Sequence, residues 1–585
     1  MAAQATQSTA TDRVNLVYDS MIGDKSVEVE LPFRLLVLGD YTLNEASEYF
    51  SDQEPVVLSA PGIDPLFSRY QPEITLEVNN CLVDDGSSLA LSFRFRTLTD
   101  FNPDQLVRNS RELSSVIKFI ADLGNVLQKD RESGIDADSI DGDILSILNA
   151  EGISVDSLNS SKDKLGWLIS SLEVRIKSQL DELLHDERFI RLETAWRTID
   201  FLVERTDFTE NCEIAVLNIS KSALLADFED SPEIVRTQYY QSVYTSEFGQ
   251  YGGKPYAAII ADYEFGPSSK DVWLIQRVAS VSAISHAPFI AAASPSFFSI
   301  DSYSKFSKLR DIKSIFQQAS YTKWTSFRTT SDARYIGLTL PSFLLRQPHS
   351  VAIGPIEYRE SVRRNSAGMC WGNAAFAFAS RLVDSFARYR WCLNITGKQD
   401  GRVSGLSVTG SNASGLHAGK IPTQFLLTDK RESDVVAQGF IPLSVHKGDD
   451  IAAFYSAYSV QSFAENENSD TRDISARLGA QLPYLLIVSR ISHYIKMMQR
   501  EHIGSWKNRR EIDQSLNNWL RQYVSDMDNP APGVRSRRPL RRADIKVREV
   551  EGKGDWYVTN IQISPHVKYM GTAFTLSETG KLEKT

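Results

Sequence analysis

Residues 129–163 interrupt the hydrophobic patterning of the chain and divide it into two regions. The stretch reads "KDRESGIDADSIDGD", one short apolar turn "ILSIL", and then "SVDSLNSSKD". Acidic and small polar residues of this kind are typical of connectors between folded units. At 585 residues the chain has room for several domains of about 150 residues each. We therefore expect an acidic connector over residues 129–164, with separate folded regions on its two sides.

The region before the connector has strand patterning. In "LALSFRFR" the apolar residues Leu89, Leu91, Phe93 and Phe95 alternate with Ala90, Ser92, Arg94 and Arg96, the period of two that is typical of a strand with one buried face. "FRLLVLGD" ends a further strand with Gly-Asp turn residues. We expect a mobile tail over residues 1–12 and a small sheet domain over 13–128, closed by a helix over about 103–128.

The region after the connector, residues 165–585, alternates helical and strand patterns. Apolar residues recur about every 3.6 positions from Leu165 to Leu183, which predicts an amphipathic helix. Residues 371–391 and the segment around Ile487–Met498 predict further helices, and the C-terminus returns to strands. A Gly/Ser-rich segment over 400–420 is expected to be an exposed loop. The predicted fold class is α+β, a multi-domain chain with mixed sheets and amphipathic helices, and the second region has room for two subdomains.

Composition disfavours nucleic-acid and membrane partners. The net charge is -10, whereas a nucleic-acid binder needs a basic surface to neutralise phosphates. No apolar run is long enough to cross a bilayer, and "MAAQATQSTATDR" lacks the features of a signal peptide. We expect a soluble cytoplasmic protein without nucleic-acid binding or membrane insertion.

The stretch "QYGGKPYAAIIAD" (250–262) resembles a phosphate-binding loop but has the wrong order. A P-loop follows a strand and opens a helix, whereas Gly252, Gly253 and Lys254 precede a strand. We interpret them as a turn, and Asp262 with Glu264 as polar residues that cap the strand. No catalytic, cofactor-binding or metal-binding residue is assigned. A soluble hydrolase or nucleotide enzyme that uses Asp262, Glu264 and Lys254 remains the remote alternative.

Long blocks of the chain closely resemble the large subunit of the contractile sheath of type VI secretion systems. They include "EFGQYGGKPYAAIIADYEFGPSSKDVWLIQRVASVSAISHAPFIAAASPSFF" (247–298), "KIPTQFLLTDKRE" (420–432), "EHIGSWK" (501–507) and "HVKYMGTAFTLSETGKLEK" (566–584). Upstream, "RVNLVYD" (13–19) and "VEVELPFRLLVLGDYT" (27–42) look like the small sheath subunit. The chain thus resembles a fusion of subunits that are separate in most such systems.

The resemblance implies a structural protein rather than an enzyme. Such a protein polymerises helically with copies of itself around an inner tube of hexameric rings, is anchored on a baseplate, and contracts to drive the tube and its effectors through a target membrane. It also implies disassembly by an AAA+ unfoldase. The region that such an unfoldase recognises in the family looks shortened in this sequence, over residues 129–164. The sheath of a related contractile injection particle or phage tail is the alternative.

The resemblance also suggests which residues join neighbouring subunits. Arg13–Tyr18 is a short strand followed by "DSMIGDKS", which we interpret as a polar link that detaches this strand from its domain. A detached strand is suited to adding to a neighbour's sheet. Val567–Leu576 resembles a second donated strand. Strand exchange is carried over, as a hypothesis, to Val14, Leu16, Tyr18, Tyr569, Ala573 and Thr575. The basic cluster near the C-terminus is a candidate contact with the inner tube or a neighbour through Arg537, Arg538, Arg541 and Arg542.

Overall fold

The structure is a computed structural model of the chain. It describes residues 16–22, 25–44, 49–50, 53–83, 86–128, 162–250, 252–362, 368–408, 421–445, 451–462, 479–501, 509–527, 538, 540–549, 557–565 and 576–581. The predicted tail over 1–12, the connector up to residue 161 and the loop segment 409–420 lie outside these residues.

The strands are named in chain order. They are β1 Tyr18–Ile22, β2 Lys25–Val29, β3 Phe33–Gly39, β4 Val56–Leu58, β5 Glu73–Asn79, β6 Ser88–Arg94, β7 Cys212–Asn218, β8 Tyr256–Phe265, β9 Phe289–Ala293, β10 Ile336–Leu340, β11 Phe343–Leu344, β12 Ser350–Ile353, β13 Ile356–Arg359, β14 Trp371–Gly372, β15 Arg402–Val403, β16 Phe440–Pro442, β17 Ser444–Val445, β18 Ala452–Ala453, β19 Leu540–Glu549, β20 Tyr557–Pro565 and β21 Leu576–Lys581.

The α-helices of five or more residues are also named in chain order. They are α1 Asp64–Tyr70, α2 Pro103–Asn109, α3 Arg111–Gln128, α4 Lys162–Leu184, α5 Glu187–Glu204, α6 Lys221–Asp230, α7 Ser269–Ser285, α8 Ile312–Phe316, α9 Thr322–Arg328, α10 Ala374–Tyr389, α11 Asp429–Ala437, α12 Leu482–Glu501 and α13 Arg509–Arg521.

The largest sheet has seven strands in the order β16-β10-β9-β8-β3-β7-β4. Neighbouring strands are parallel, except that β4 runs antiparallel to β7 at one edge. The strands β3, β9 and β10 are buried along their whole length, because helices cover both faces of a parallel sheet. The mixture of this sheet, smaller antiparallel sheets and amphipathic helices confirms the predicted α+β class.

The central strand β3 comes from the region before the connector. It pairs along its length with β7, in register from Phe33↔Cys212 to Gly39↔Asn218, and on its other edge with β8. Both of those strands follow the connector. One sheet therefore crosses the predicted border between residues 13–128 and 165–585, and the domain boundaries themselves stay a prediction.

Three apolar clusters hold the helices to the sheets. The first packs the β5–β6 hairpin, α3, α4, α5 and α10 on one face of the large sheet, where the rings of Phe67 and Trp196 stack with centroids 3.8 Å apart. The second packs α6, α7 and α9 on the opposite face. The third joins Leu16 and Tyr18 to α12, α13, β19 and β20.

Several predicted elements are confirmed, and one is wrong. The predicted helix from Leu165 is α4, and the predicted helix over 103–128 is the pair α2 and α3, which is broken at Ser110. The interpretation of "DSMIGDKS" as a link is the error, because most of it lies in β1 and β2, which form an antiparallel hairpin with Tyr18 opposite Val29. The sequence pair Gly23-Asp24, which separates the two strands along the chain, is typical of two-residue hairpin turns. This pair is the sequence signal that predicts the hairpin.

A buried ion network joins α5 to the β12–β13 hairpin. Arg346 lies 2.7 Å from Glu193 through Nε and 2.7 Å from Glu360 through Nη1, and the side chains of both glutamates are fully buried. Burial alone would raise the pKa of Glu360, but His185 and Arg346 outweigh this effect and hold its pKa at about 2. Burial likewise opposes the ionisation of Glu193, but Arg346 and Arg197 outweigh it and lower the pKa of Glu193. Both carboxylates are therefore ionised at neutral pH.

The substitution Glu193→Gln should be strongly destabilising. It removes the negative charge that Arg346 and Arg197 share in a buried site. Loss of one partner of a buried ion pair lowers the free energy of unfolding by about 3–5 kcal/mol. The control Glu73→Gln removes a carboxylate from an exposed ion pair with Arg94, where about 1 kcal/mol or less is at stake. Urea denaturation measures both. Equal unfolding midpoints for the two variants would contradict the assigned importance of the network.

Glu360 should make stability depend on acid pH. Its pKa in the folded chain, about 2, lies below the ordinary value of 4.5. Its contribution is therefore complete above pH 4.5 and is lost as the pH falls through 2. Between pH 4.5 and pH 2 the unfolding midpoint of Glu360→Gln should therefore change less with pH than that of the unmodified chain. If the unfolding midpoints of the two chains change equally with pH, Glu360 is not the source of this pH dependence.

Cutting the connector should not separate the two regions. A protease site inserted within residues 129–161 and then cleaved leaves β3 hydrogen bonded to β7 and β8. The fragments should elute as one species in size-exclusion chromatography and dissociate only in denaturant. Separate elution in native buffer would mean that the shared sheet does not hold the regions together.

Candidate assembly site at the chain ends

The residues of the remote enzyme hypothesis lie at opposite ends of one strand. Lys254 precedes β8, and Asp262 lies near its far end. Because a strand rises about 3.3 Å per residue, the eight residue steps from Lys254 to Asp262 span roughly 26 Å. Lys254 instead lies 2.5 Å from the carboxylate of Glu213 through Nζ and donates its backbone N–H to Glu247. The three residues form no common site.

The glycine pair before Lys254 is explained by the turn. Gly252 has a φ of +81°, and a Cβ on Gly253 would lie 2.1 Å from the backbone oxygen of Glu247. A side chain at residue 253 would therefore clash with the backbone. The interpretation of this segment as a turn before a buried strand is confirmed.

Asp262 lies beside a helix cap. Burial, followed by the nearby Glu264, raises the pKa of Asp262 to about 6. The neighbouring Asn373 caps α10 by accepting the N–H of Ala375, and it donates to the backbone oxygen of Ala261.

Within the described ranges, no group of three or more His, Cys, Asp or Glu side chains is arranged to hold a metal ion. In the same part of the chain, no helix has the length and apolar character needed to cross a bilayer.

The first described residues are packed against the C-terminal helices of the same chain. Leu16 and Tyr18 are 2% and 6% exposed. The ring of Tyr18 meets that of Tyr494 on α12 edge to face, with centroids 6.0 Å apart. Both residues thus belong to the third apolar cluster. Val14, the other proposed exchange residue at this end, lies outside the described residues.

Side chains from α12 and α13 hold the backbone of this segment. The hydroxyl of Tyr494 donates to the carbonyl of Leu16 at 2.6 Å and accepts the N–H of Leu31 at 2.9 Å. The indole Nε1 of Trp519 donates to the carbonyl of Val17 at 2.8 Å. Arg490 donates to the carbonyls of Leu31 and Pro32. One tyrosine therefore joins the segment before β1 to the segment after β2.

The C-terminal sheet lies against the same cluster. It is antiparallel with the order β19-β20-β21, and Ile545, Val547, Ile561 and Ile563 contribute to the cluster. Apart from one bridge between Val524 and Leu540, the outer edges of β19 and β21 have no strand neighbour among the described residues. Tyr569, Ala573 and Thr575 lie outside those residues, and β21 begins directly afterwards at Leu576.

The basic cluster is the start of a strand. Arg541 and Arg542 lie in β19, where Arg541 is half-buried and Arg542 exposed, and Nε of Arg542 is 4.0 Å from Asp526. Arg538 is exposed just before the strand. Arg537 lies outside the described residues. The predicted contact of these arginines with a tube or a neighbour stays a prediction.

Sequence reasoning found part of this site. The helical patterning around Ile487–Met498 predicts α12, the helix that carries Tyr494. Periodicity gave no signal that its hydroxyl binds backbone atoms more than four hundred residues away. The hydrogen bonds of Trp519 and Arg490 with the N-terminal segment leave no sequence pattern for the same reason.

Comparison with known proteins identifies three matching family models in one chain. Residues 167–461 match "EvpB/VC_A0108, tail sheath N-terminal domain". Residues 471–582 match "EvpB/VC_A0108, tail sheath gpW/gp25-like domain". Residues 6–141 match "Type VI secretion system, VipA, VC_A0107 or Hcp2". The first two models describe the large sheath protein and the third describes the small one.

A curated relative agrees with this assignment. The type VI secretion system sheath protein TssC1 of Pseudomonas aeruginosa is 36% identical over 439 residues, which cover 74% of this chain and 87% of the relative. The sheath tail protein Lin1278 of Listeria innocua is 14% identical over 60% of each chain with a TM-score of 0.29, a value too low to support an argument. The chain belongs to the type VI secretion sheath family, as a fusion of TssB-like and TssC-like parts, and is a structural subunit of a contractile sheath.

Proposed function

We propose that this subunit polymerises helically around an inner tube of hexameric rings in the bacterial cytoplasm, with one end of the polymer on a baseplate. The regions 13–128 and 165–585 correspond in this proposal to the small and large sheath subunits. The observation that carries it is the meeting of an N-terminal and a C-terminal segment at one cluster. The segment that begins at Leu16 and the strands β19 and β20 pack on the same two helices.

This arrangement suits strand exchange between neighbours. A sheet edge presents unpaired backbone N–H and C=O groups, which a strand from another chain can satisfy. Within the described residues the outer edge of β21 has no strand neighbour, whereas on the outer edge of β19 the backbone of Ile545 and Val547 bonds to Asn517 and Asp513 of α13. We therefore assign the acceptor role to β21. We assign the donated segments to residues around Val14 and around Tyr569, Ala573 and Thr575. Leu16 and Tyr18 then mark the point where the donated N-terminal segment enters its own subunit.

Contraction in this proposal uses energy stored during assembly. The extended lattice is a metastable state, and the interface between subunit bodies is the element with two arrangements. The subunit itself then needs no catalytic site. In this proposal an AAA+ unfoldase that recycles the polymer acts at residues 129–164, the junction of the two sheath-subunit parts.

Deletion of residues 1–15 should abolish polymers and leave folded subunits. The deletion removes the proposed donor but keeps Leu16 and Tyr18 in their cluster. Deletion of residues 1–9 is the matched control and should leave polymerisation unchanged. Ultracentrifugation and negative-stain electron microscopy measure tube formation, and circular dichroism checks folding. Long tubes from the chain that lacks residues 1–15 would refute the donor role.

A further inference from the structure

We propose that Tyr494 and Trp519, supported by Arg490, form an anchor that transfers pulling force from the N-terminal segment to the body of the subunit when the sheath contracts. This inference rests on the proposed function, because the force comes from a second copy of the chain that binds residues upstream of Leu16. The three residues are called the N-terminal anchor below.

The position of the anchor is the first argument. Tension on residues upstream of Leu16 reaches the described chain at Leu16 and Val17, before the first paired residue of β1. The carbonyls of these two residues accept hydrogen bonds from Tyr494 and Trp519 at 2.6 and 2.8 Å. Force therefore meets the anchor before it reaches the hairpin.

The weakness of the hairpin without the anchor is the second argument. Tyr18 and Val29 lie opposite each other at its open end. Pulling Leu16 away from the body would separate this end first, so the cross-strand bonds would break one after another. A two-stranded hairpin alone is only marginally stable. The hydroxyl of Tyr494 prevents this opening because it binds Leu16 on one side and Leu31 on the other.

The attachment of α12 to the large sheet is the third argument. His493 and Lys496 contact the backbone oxygens of Ser285 and Ile284 at 3.0 and 2.6 Å. Lys496 also lies over the rings of Tyr244 and Phe248. Ser285 is the last residue of α7, which packs on the large sheet. The anchor is thus connected to the central body by a continuous set of contacts.

The anchor residues also support each other. The rings of Tyr494 and Trp519 stack with centroids 5.9 Å apart. The guanidinium of Arg490 lies over the ring of Tyr494 at 5.1 Å and holds Leu31 and Pro32, directly before β3. Leu31 and Pro32, which connect the hairpin to β3, are therefore held by both Tyr494 and Arg490.

The test compares Tyr494→Phe, Trp519→Phe and the double variant with matched controls. Each substitution keeps a ring and removes the group that binds the N-terminal backbone. The controls are Tyr239→Phe and Trp324→Phe, because both residues are buried and their polar atoms have no hydrogen-bond partner in the described part of the chain. Thermal melting of each full-length chain identifies a general folding defect.

Two readouts follow for chains that melt like the unmodified one. In an optical trap, with handles at residue 1 and in a tag inserted within 129–161, the force that first extends the N-terminal segment should fall at least twofold in the double variant. In electron microscopy, double-variant sheaths should assemble but break several times more often on contraction. The controls should match the unmodified chain in both.

The outcomes separate the anchor from the proposed function. Unchanged force and intact contraction in the double variant would overturn the anchor while the unmodified chain still forms contractile tubes. A lowered force together with an unmodified chain that forms no tubes would support the anchor as a mechanical element and overturn the proposed function. Cross-links in tubes that join Leu16 to Tyr494 of another copy would overturn the anchor within one chain.

Discussion

The hydrogen bonding of β3 on both edges is the constraint on which the rest of the structure depends. A strand in the middle of a parallel sheet has no edge exposed to water, so its removal would leave the backbone groups of two neighbours unpaired. Since β3 precedes the connector and its neighbours β7 and β8 follow it, the small-subunit and large-subunit parts form one body. The fusion joins covalently two parts that the sheet already joins.

The position of β3 also determines the position of the N-terminus. Leu31 and Pro32 lead directly into the strand, and Arg490 and Tyr494 hold these residues from α12. The hairpin before them is therefore placed over α12 and α13, beside the sheet β19-β20-β21. This brings Leu16 and the C-terminal strands β19 and β20, which are far apart in sequence, to one place on the subunit. Strand exchange with neighbours would then load a single region of the body from both ends.

Local elements were predictable from the sequence because their signals are local. The 3.6-residue spacing from Leu165 to Leu183 predicts α4, and the alternation around Leu91 and Phe93 predicts β6. The buried run of β3 gives no alternation, so periodicity could not reveal its parallel neighbours. The contacts of Tyr494 with Leu16 and Leu31 join distant segments and have no pattern that a single sequence can show. The family was predictable because long blocks of the sequence resemble it.

A helical reconstruction by cryo-electron microscopy of the polymer formed by the purified chain tests the central claim most directly. The account predicts that every subunit keeps β3 between its own β7 and β8, with Leu16 on its own α12, while residues upstream of Leu16 pair with the C-terminal sheet of another copy. A map in which both chain ends stay within their own subunit, or in which β3 lies in the sheet of another copy, would contradict it.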